Sequence, residues 1–463
     1  MSRSISNHSR RWFIYSLSGL FIFLCLAIIL AAILLLRRGY LPRTGLITGS
    51  SMEPILRGPR FSLTCSSCSE SQEFALDTCK SNQPFRCRQC DKLDMGSVFD
   101  FDDIESLDAR TRPGAQVRFA SLRSIRKNRA KEIANGNVHA SGLIRGDLVV
   151  LQEPHESKKE VKRIVGFAFE QVAIEGGDLF VDGKRWCKSL EQALRQSILL
   201  NAWERPSPKS QSGRANRLNG GWEIEREPFQ GVLSAIDSPE QNVDDARTLS
   251  FGYSLPHRID NLLTLNAHDS HIVVPVNDFG FTFQLSRPDH AWKLKCKLNS
   301  PVCQPDIGLE LDGGTLSIET SDDHVKMDLL FSEDHSIWIV IAMVDGHLIV
   351  GNQDEEWLRR ELPIASVEMA HDDTRVKSPI AMEIISGRLA LDQLLVFRDV
   401  FYRGQNDSET QSWESGEHLV VLGDNVSASS DSRDRWPDGL SPSSVKGVVL
   451  QTESPMEVLL RQR

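Results

Sequence analysis

The chain has 463 residues, 40% of them hydrophobic and 25% charged, with a formal net charge of −10. That length excludes one small domain and points to two or three. Through Trp186 there are 27 Lys and Arg against 20 Asp and Glu, which leaves 26 against 43 of the stated totals for the rest; such a swing argues for separate surfaces facing different partners and says little about fold.

From Trp12 to Leu36 the chain carries no charge and is mostly Leu, Ile, Phe and Ala. These roughly 25 residues are long enough to cross a ~30 Å hydrocarbon core. A cleavable export signal would be shorter and end in small residues, whereas this segment ends in Leu-Leu-Leu-Arg-Arg, so a retained single span is predicted. Arginines flank both ends (Arg10 and Arg11, Arg37 and Arg38), and the positive-inside rule therefore leaves orientation open.

About a dozen residues beyond the span comes Thr48-Gly49-Ser50-Ser51-Met52-Glu53-Pro54-Ile55-Leu56. It offers serines in a glycine-flanked turn that Pro54 stiffens, with Ile55 and Leu56 able to pack beneath. The ordinary alternative is a Gly/Ser linker between membrane and domain. Next, Cys65-x2-Cys68 and Cys87-x2-Cys90, eighteen residues apart, match a zinc-ribbon spacing. Disulfides are the competing use of these thiols, and Cys79 is superfluous in either account. The stretch Arg118 to Lys131 interleaves six Lys and Arg with Phe119, Leu122 and Ile125; it reads as a solvated helix face, with contact to anionic lipid as the alternative.

Arg145-Gly146-Asp147 followed by Leu148-Val149-Val150-Leu151 predicts a turn and a buried strand. A second strand follows at Val161-Lys162-Arg163-Ile164-Val165-Gly166-Phe167. Alternation puts Lys162, Ile164 and Gly166 on one face, a partly apolar setting. Lysine there is suited to act as a base, because burial lowers its pKa from ~10.4 towards neutrality. The bland reading is an edge-strand lysine at the solvent boundary, like Lys158 and Lys159. Val172 to Ile174 and Leu179 to Lys184 predict a further hairpin.

Ser189 to Trp203 has helical periodicity, and Arg205 to Gly221 is a Pro/Ser/Gly/Asn linker. From Trp222 to Tyr402 short alternating strands are predicted at 262–264, 271–274, 279–285, 316–318, 326–331, 338–344, 347–350, 380–385 and 394–398, with a hairpin turn at Asp345-Gly346. The pattern is that of an all-β sandwich, loosely like laminin-G or legume-lectin jelly rolls. Cys296 and Cys303 flank a Pro-containing turn and are placed to pair. After it, Val420-Val421-Leu422 leads into Gly423-Asp424-Asn425, Ser429, Asp431, Ser432 and Arg433, with a last core strand at 443–449.

Taken in order, the Ser51, Lys162 and Gly423–Arg433 segments closely resemble the signature boxes of the type I signal peptidases (leader peptidases), membrane-bound Ser/Lys endopeptidases. The resemblance covers residues 12–60, 113–186 and 412–450. It implies Ser51 as nucleophile, since the family's serine immediately precedes the methionine, and Lys162 as general base. It implies Ser429 as the hydrogen-bond partner of the lysine amine, Gly423 and Asp424 as a backbone wall, and Asp431 with Arg433 as an internal ion pair. Gly49 stands where some members carry an oxyanion serine, so the oxyanion donors are expected to be the Ser51 N–H and Ser50 or Thr48. Ile55 replaces the usual threonine, Phe167-Ala168-Phe169-Glu170 replaces Leu-Pro-Gly-Asp, and Val426-Ser427-Ala428 replaces Arg-Asp-Asn.

The fold expected is therefore mainly β, a signal-peptidase-like antiparallel β catalytic core behind one N-terminal transmembrane helix. The expected organisation is a cytoplasmic N-terminus at 1–11, the span at 12–36, and a first segment of the catalytic core at 37–186 with the ribbon insert at about 62–95. A helix and linker follow at 187–221, then an inserted β-sandwich (jelly-roll-like) domain at 222–405, and the catalytic core resumes at 412–463. Catalysis needs no cofactor; structural zinc is expected on Cys65, Cys68, Cys87 and Cys90. Partners are signal-peptide-bearing preproteins and membrane lipid, not nucleic acid, with residues 39–463 outside the cytoplasm. The alternative function is a catalytically decayed, membrane-anchored interaction protein using the two inserts.

Overall fold

The computed structural model describes residues 20–31, 42–64, 66–67, 71–78, 85–86, 93–94, 111–134, 139, 141–204, 232–234, 248–251, 278–286, 291–299, 305–312, 314–329, 336–363, 380–405, 408, 410–426 and 428–462. The described residues are mainly β. Of the expected span, only 20–31 is described: a helix with Leu20, Phe21, Phe23, Leu26 and Ile28 exposed. Among the described residues no helix is long and apolar enough to cross a membrane. Compact packing divides the chain into two units.

The first unit comprises Met1–Leu46, Gln116–Ile164 and Ser441–Gln451. Its antiparallel sheet runs Arg43–Leu46, Gln116–Ala120, Val445–Val449, Leu148–Leu151 and then the strand beginning at Glu160. Leu148, Val149, Val150 and Leu151 are all buried, as a run of four apolar residues with both faces covered requires. The basic stretch expected as one helix face begins instead as strand Gln116–Ala120. Helix Leu122–Asn128 follows, capped by Ser121 through its bond from the Ser124 amide, and then the short helix Ala130–Ala134. Ile125 is buried while the basic side chains of the last turn fall near its C-terminal end, where the helix dipole favours them.

The second unit comprises Ile47–Ala115, Val165–Leu440 and Thr452–Arg463. Strand Arg60–Thr64 lies between Ser71–Ala75 and Thr111–Arg112, and Phe85–Arg86 pairs with Leu93–Asp94. Cys65, Cys68, Cys87 and Cys90 lie outside the described residues, in the connections 65–70 and 87–92 of these two hairpins. A four-stranded sheet orders Lys184–Arg185, Asp178–Val181, Gln171–Glu175 and Thr410–Glu414. Its turn at Asp182-Gly183 has φ of 51° and 73°, the left-handed conformation that a two-residue hairpin turn demands.

The largest sheet is organised around one strand of 19 residues, Ile380–Arg398. Its C-terminal half pairs with Phe279–Ser286, which leads on to Ser336–Val344, His347–Gly351 and Glu356–Glu361. Its N-terminal half pairs with Trp292–Leu298, leading to Asp306–Asp312, Thr315–Glu319 and His324–Asp328. Both halves contribute to one apolar core containing Phe279, Phe281, Phe283, Trp292, Leu294, Leu309 and Ile339. The alternation is strict in Trp292–Leu298: Trp292, Leu294, Cys296 and Leu298 are buried, while Lys293 and Lys295 pair outside with Glu310 and Asp306.

Several expectations change. Residues 380–398, expected as two strands, are continuous. The helix predicted over 189–203 spans only Leu190–Gln196. Ser197 turns extended, and Ile198–Glu204 pairs with the long strand instead, with Ile198 buried. Cys296 faces the core as a buried free thiol rather than as the partner of Cys303, which lies outside the described residues, as do the strands predicted at 262–264 and 271–274. Burial raises the Cys296 thiol's pKa far above its ordinary range.

Candidate active site

In the second unit, residues 51–55 form a turn on an apolar base of Met52, Ile55 and Leu56, all buried. The turn is closed by Glu53 N donating to Ser50 O (2.9 Å) and Leu56 N to Met52 O (2.9 Å). Glu53 is buried and takes the Gly58 amide on Oε1 at 3.0 Å; Oε2 has no hydrogen-bond partner among the described residues. Burial pushes the Glu53 carboxyl up to about 7 against the opposing Gly58 amide and Arg60 charge.

Two residues that the sequence reading left without a role hold this turn. Asn425 donates its side-chain amide to Ser50 O (2.8 Å) and its backbone N–H to Ser51 O (3.1 Å). Asp77 accepts both the Ser50 amide (2.9 Å) and the Ser50 hydroxyl (3.1 Å) on one oxygen. The Ser50 hydroxyl proton is thus directed at Asp77. Asn425 was visible within the Gly-Asp-Asn motif. Asp77 follows a cysteine-rich stretch with no periodicity to flag it.

The Gly423–Arg433 loop is built by short polar side chains bonding nearby backbone. Asp431, fully buried, accepts Gly423 N (2.7 Å), Arg433 N (3.1 Å) and Arg433 Nε (2.8 Å), and pairs with Arg433 Nη2 at 2.6 Å. Burial alone would raise its carboxyl, but the bonds and charge of Arg433 and the Gly423 amide together hold it below the ordinary value. Arg433 reaches on to Val426 O (2.7 Å) and Ser429 O (3.4 Å). Tyr402 donates its hydroxyl to Asp424 at 3.4 Å. A Cβ on Gly423 would overlap Ser429 Oγ and lie 2.6 Å from Ser51 O. Gly423 therefore lets the Ser429 side chain and the Ser51 carbonyl converge on its α-carbon.

Lys162 belongs to the first unit. It lies on strand Glu160–Gly166 opposite Val149, and is 2% exposed, which removes it from the solvent-boundary class of Lys158 and Lys159, both exposed. The Arg145-Gly146-Asp147 turn sets its register: Gly146 has φ of 93°, Gly146 N donates to Ile164 O, and Ile164 N to Asp147 O. Arg163 Nη1 donates to Gly146 O at 2.6 Å. Asp147 is held by Arg129 through two bonds of 2.7 and 3.1 Å and takes the Ile144 amide. Thus the structure gathers Ser50, Ser51, Gly423, Asp424, Ser429, Asp431 and Arg433 in one unit and places Lys162 in the other.

Among solved structures, a trans-sialidase-active mutant of Trypanosoma rangeli sialidase is 12% identical over 26% of this chain and 21% of that one, with a TM-score of 0.20. Sheep galectin-11 is 9% identical over 26% of this chain and 88% of that one, at 0.18. A Caenorhabditis elegans galectin is 11% identical over 27% and 87%, at 0.19. This chain spans about a fifth of the sialidase's length, and at these scores the likenesses assign neither fold nor ligand. No curated protein matches. The family model described as "Signal peptidase, peptidase S26" matches residues 20–227, a span that contains both the Ser51 and Lys162 segments and stops before Gly423. Over those residues, somewhat less than half of its length, the chain is similar to the signal peptidase family.

Proposed function

We propose that the chain is a membrane-bound serine endopeptidase that removes signal peptides from exported preproteins with a Ser51/Lys162 dyad. The observation that supports it most is the family match across both segments, joined to a loop that grips the Ser51 carbonyl and brings Ser429 beside it. Ser51 Oγ attacks the scissile carbonyl while its proton passes to neutral Lys162, which then protonates the leaving amine. Lys162 next takes a proton from water, and that water releases the acyl-enzyme. The Ser51 N–H serves the oxyanion; the Ser50 hydroxyl can serve it only by leaving Asp77. Small side chains at the first and third positions before the cut select the substrate. The span at 12–36 anchors the chain with residues 39–463 outside the cytoplasm. The four thiols in the two hairpin connections hold a structural zinc, a closed site with no open position for water.

The deciding experiment uses detergent-solubilised full chain and one preprotein. Ser51→Ala and Lys162→Ala are each expected to abolish cleavage, and the double variant to be little worse than either, because such groups act together rather than additively. Normal cleavage by Lys162→Ala would overturn the base assignment.

A further inference from the structure

Within the serine turn, the residue before the nucleophile faces away from the surface. Ser50 is 1% exposed, whereas Ser51 is partly exposed and Thr48 exposed. A serine hydroxyl carries one proton. That of Ser50 goes to Asp77 Oδ2 at 3.1 Å, the same oxygen that takes the Ser50 amide at 2.9 Å. Hydrogen bonds to a carboxylate are about twice as strong as neutral ones.

Asp77 belongs neither to the serine segment nor to the Gly423–Arg433 loop. It sits in the single turn Leu76–Thr78 that follows strand Ser71–Ala75. That strand pairs with Arg60–Thr64, Ala75 opposite Arg60 and Ser71 opposite Thr64. Leu76 N donates to Pro59 O at 2.9 Å, and Phe61 and Ala75 are buried. Between them Glu73 is held by Arg60 (2.5 Å) and Arg112 (2.7 Å). A paired and packed element thus delivers Asp77 to the turn. Its carboxyl is exposed, so water reaches it.

Ser50 lies between two peptide planes. Asp77 holds the plane on its amino side through the Ser50 N–H. The plane on its carboxyl side is held through Ser50 O, which accepts Asn425 Nδ2 (2.8 Å) and Glu53 N (2.9 Å). A trans peptide is flat, with its C=O and N–H opposed. Holding both planes therefore fixes φ and ψ of Ser50 and the direction of the Ser51 N–H, opposite Ser50 O. Among the described residues that N–H has no acceptor.

We propose that Asp77 is a positioning residue of the serine turn: it anchors Ser50, keeps the Ser50 hydroxyl out of the oxyanion hole, and aims the Ser51 N–H as the donor. This rests on the reading of Ser51 as nucleophile. The oxyanion forms only in the transition state, so loss of the anchor falls on kcat and leaves KM. Water can take the bonds of an exposed carboxylate without restoring its geometry. The expected loss is therefore about tenfold, below the ~10²-fold that a 1 Å misplacement costs. An oxyanion role for the Ser50 hydroxyl makes the opposite demand. Ser50→Ala would then cost ~10²–10³, and Asp77→Ala, by freeing the hydroxyl, would leave kcat unchanged or raise it.

The test uses detergent-solubilised full chain and one preprotein, with hydrogen exchange read by mass spectrometry on the same samples. Asp77→Ala is expected to lower kcat about tenfold at unchanged KM. Ser50→Ala keeps the amide bond to Asp77 and is expected to lower kcat only about threefold. In the Asp77→Ala background it should add nothing, because both changes remove one interaction. Asp77→Asn retains an acceptor oxygen and is expected to stay within about threefold of wild type. Deuterium uptake over residues 47–56 should rise in Asp77→Ala and not in Asp77→Asn, while strand Val420–Leu422 keeps its protection. Wild-type or greater kcat in Asp77→Ala would overturn the proposal, as would a ~10²-fold loss in Ser50→Ala. Ser50→Ala alone carries that decision if Asp77→Ala does not fold. If wild type cleaves no preprotein, the Ser51/Lys162 reading fails by itself and exchange still decides the anchor: unchanged uptake in Asp77→Ala overturns it, and raised uptake sustains it.

Discussion

The loop Gly423–Arg433 and the β region Phe279–Arg398 both contribute buried residues to the second unit, yet these are held by opposite means. In the loop, Asp431, Arg433, Ser432 and Asn425 each make hydrogen bonds to specific backbone atoms: Gly423 N, Val426 O, Val421 N and Ser50 O. Its glycine is needed because Ser429 and the Ser51 carbonyl occupy the space of a Cβ. In the β region Phe281, Phe283, Leu309, Ile339 and their neighbours share one apolar core in which no single contact dominates. A core of this kind constrains volume and pattern while tolerating identity. A hydrogen-bonded loop constrains identity at every position, because one lost partner leaves a buried polar group unsatisfied. Substitutions in the two regions should therefore fail differently: one by unfolding, the other by lost chemistry in a folded protein.

The largest effect on stability is expected in the β region. Phe281 is fully buried between Phe279–Ser286 and its neighbouring strands and stacks on Phe283 with ring centroids 6.0 Å apart. Phe281→Ala should cost about 4–5 kcal/mol, at the upper end of the range for deleting a buried ring. Denaturant unfolding measures this. Preprotein cleavage per folded molecule should stay at the wild-type rate. A folded Phe281→Ala protein with little activity would break the division drawn between the regions.

Next comes Gly423→Ala, the mirror case. Its Cβ must displace Ser429 Oγ and the Ser51 carbonyl, so cleavage should fall by about 10³, equivalent to about 4 kcal/mol in the barrier. Far-UV circular dichroism should be unchanged. Wild-type turnover by Gly423→Ala would show that the convergence at this glycine does not govern Ser51.

These regions were also legible in different degrees. The period-two pattern of Phe279–Leu285 was readable because large apolar residues alternate with Gly280, Thr282 and Gln284, whereas Trp338–Val344 reads as a continuous apolar run because both of its faces are buried, against two separate apolar clusters. Trp292–Leu298 alternates just as cleanly, with three lysines at every second position, yet it is not among the strands read from the sequence. At 380–398, Ser386, Gly387 and Asp392 suggested a break, whereas partner strands on both halves keep the backbone extended. The loop was found by its motif rather than by any periodicity. The motif paired Asp431 with Arg433 but did not name the backbone groups they also hold, Gly423 N and Val426 O. Asp77 left no local signal, since its contact with Ser50 is set by tertiary pairing between residues far apart in sequence.

The smallest effect concerns Glu53, which joins the two modes of stabilisation in one side chain: it is buried with the apolar base of the serine turn yet ionisable. Its carboxyl is raised from 4.5 to about 7, chiefly by burial. The folded protein therefore keeps this proton up to about pH 7, while the unfolded chain loses it near pH 4.5. Between those values the native state binds more protons than the unfolded state, so this group's contribution falls as pH rises and is level above about pH 7. The whole fall is on the order of 3 kcal/mol, since a tenfold change in proton affinity is worth about 1.36 kcal/mol. Glu53→Gln keeps an oxygen for the Gly58 amide and cannot ionise. Asp399 and Asp278 titrate in the same sense in both proteins, so the informative quantity is the difference between wild type and variant, measured by denaturant unfolding from about pH 4 to 8. That difference should shift in the variant's favour between pH 4.5 and 7 and be constant on either side. Parallel stability curves would mean that Glu53 is already ionised in the folded protein, and that water or a cation reaches Oε2 beneath the serine turn.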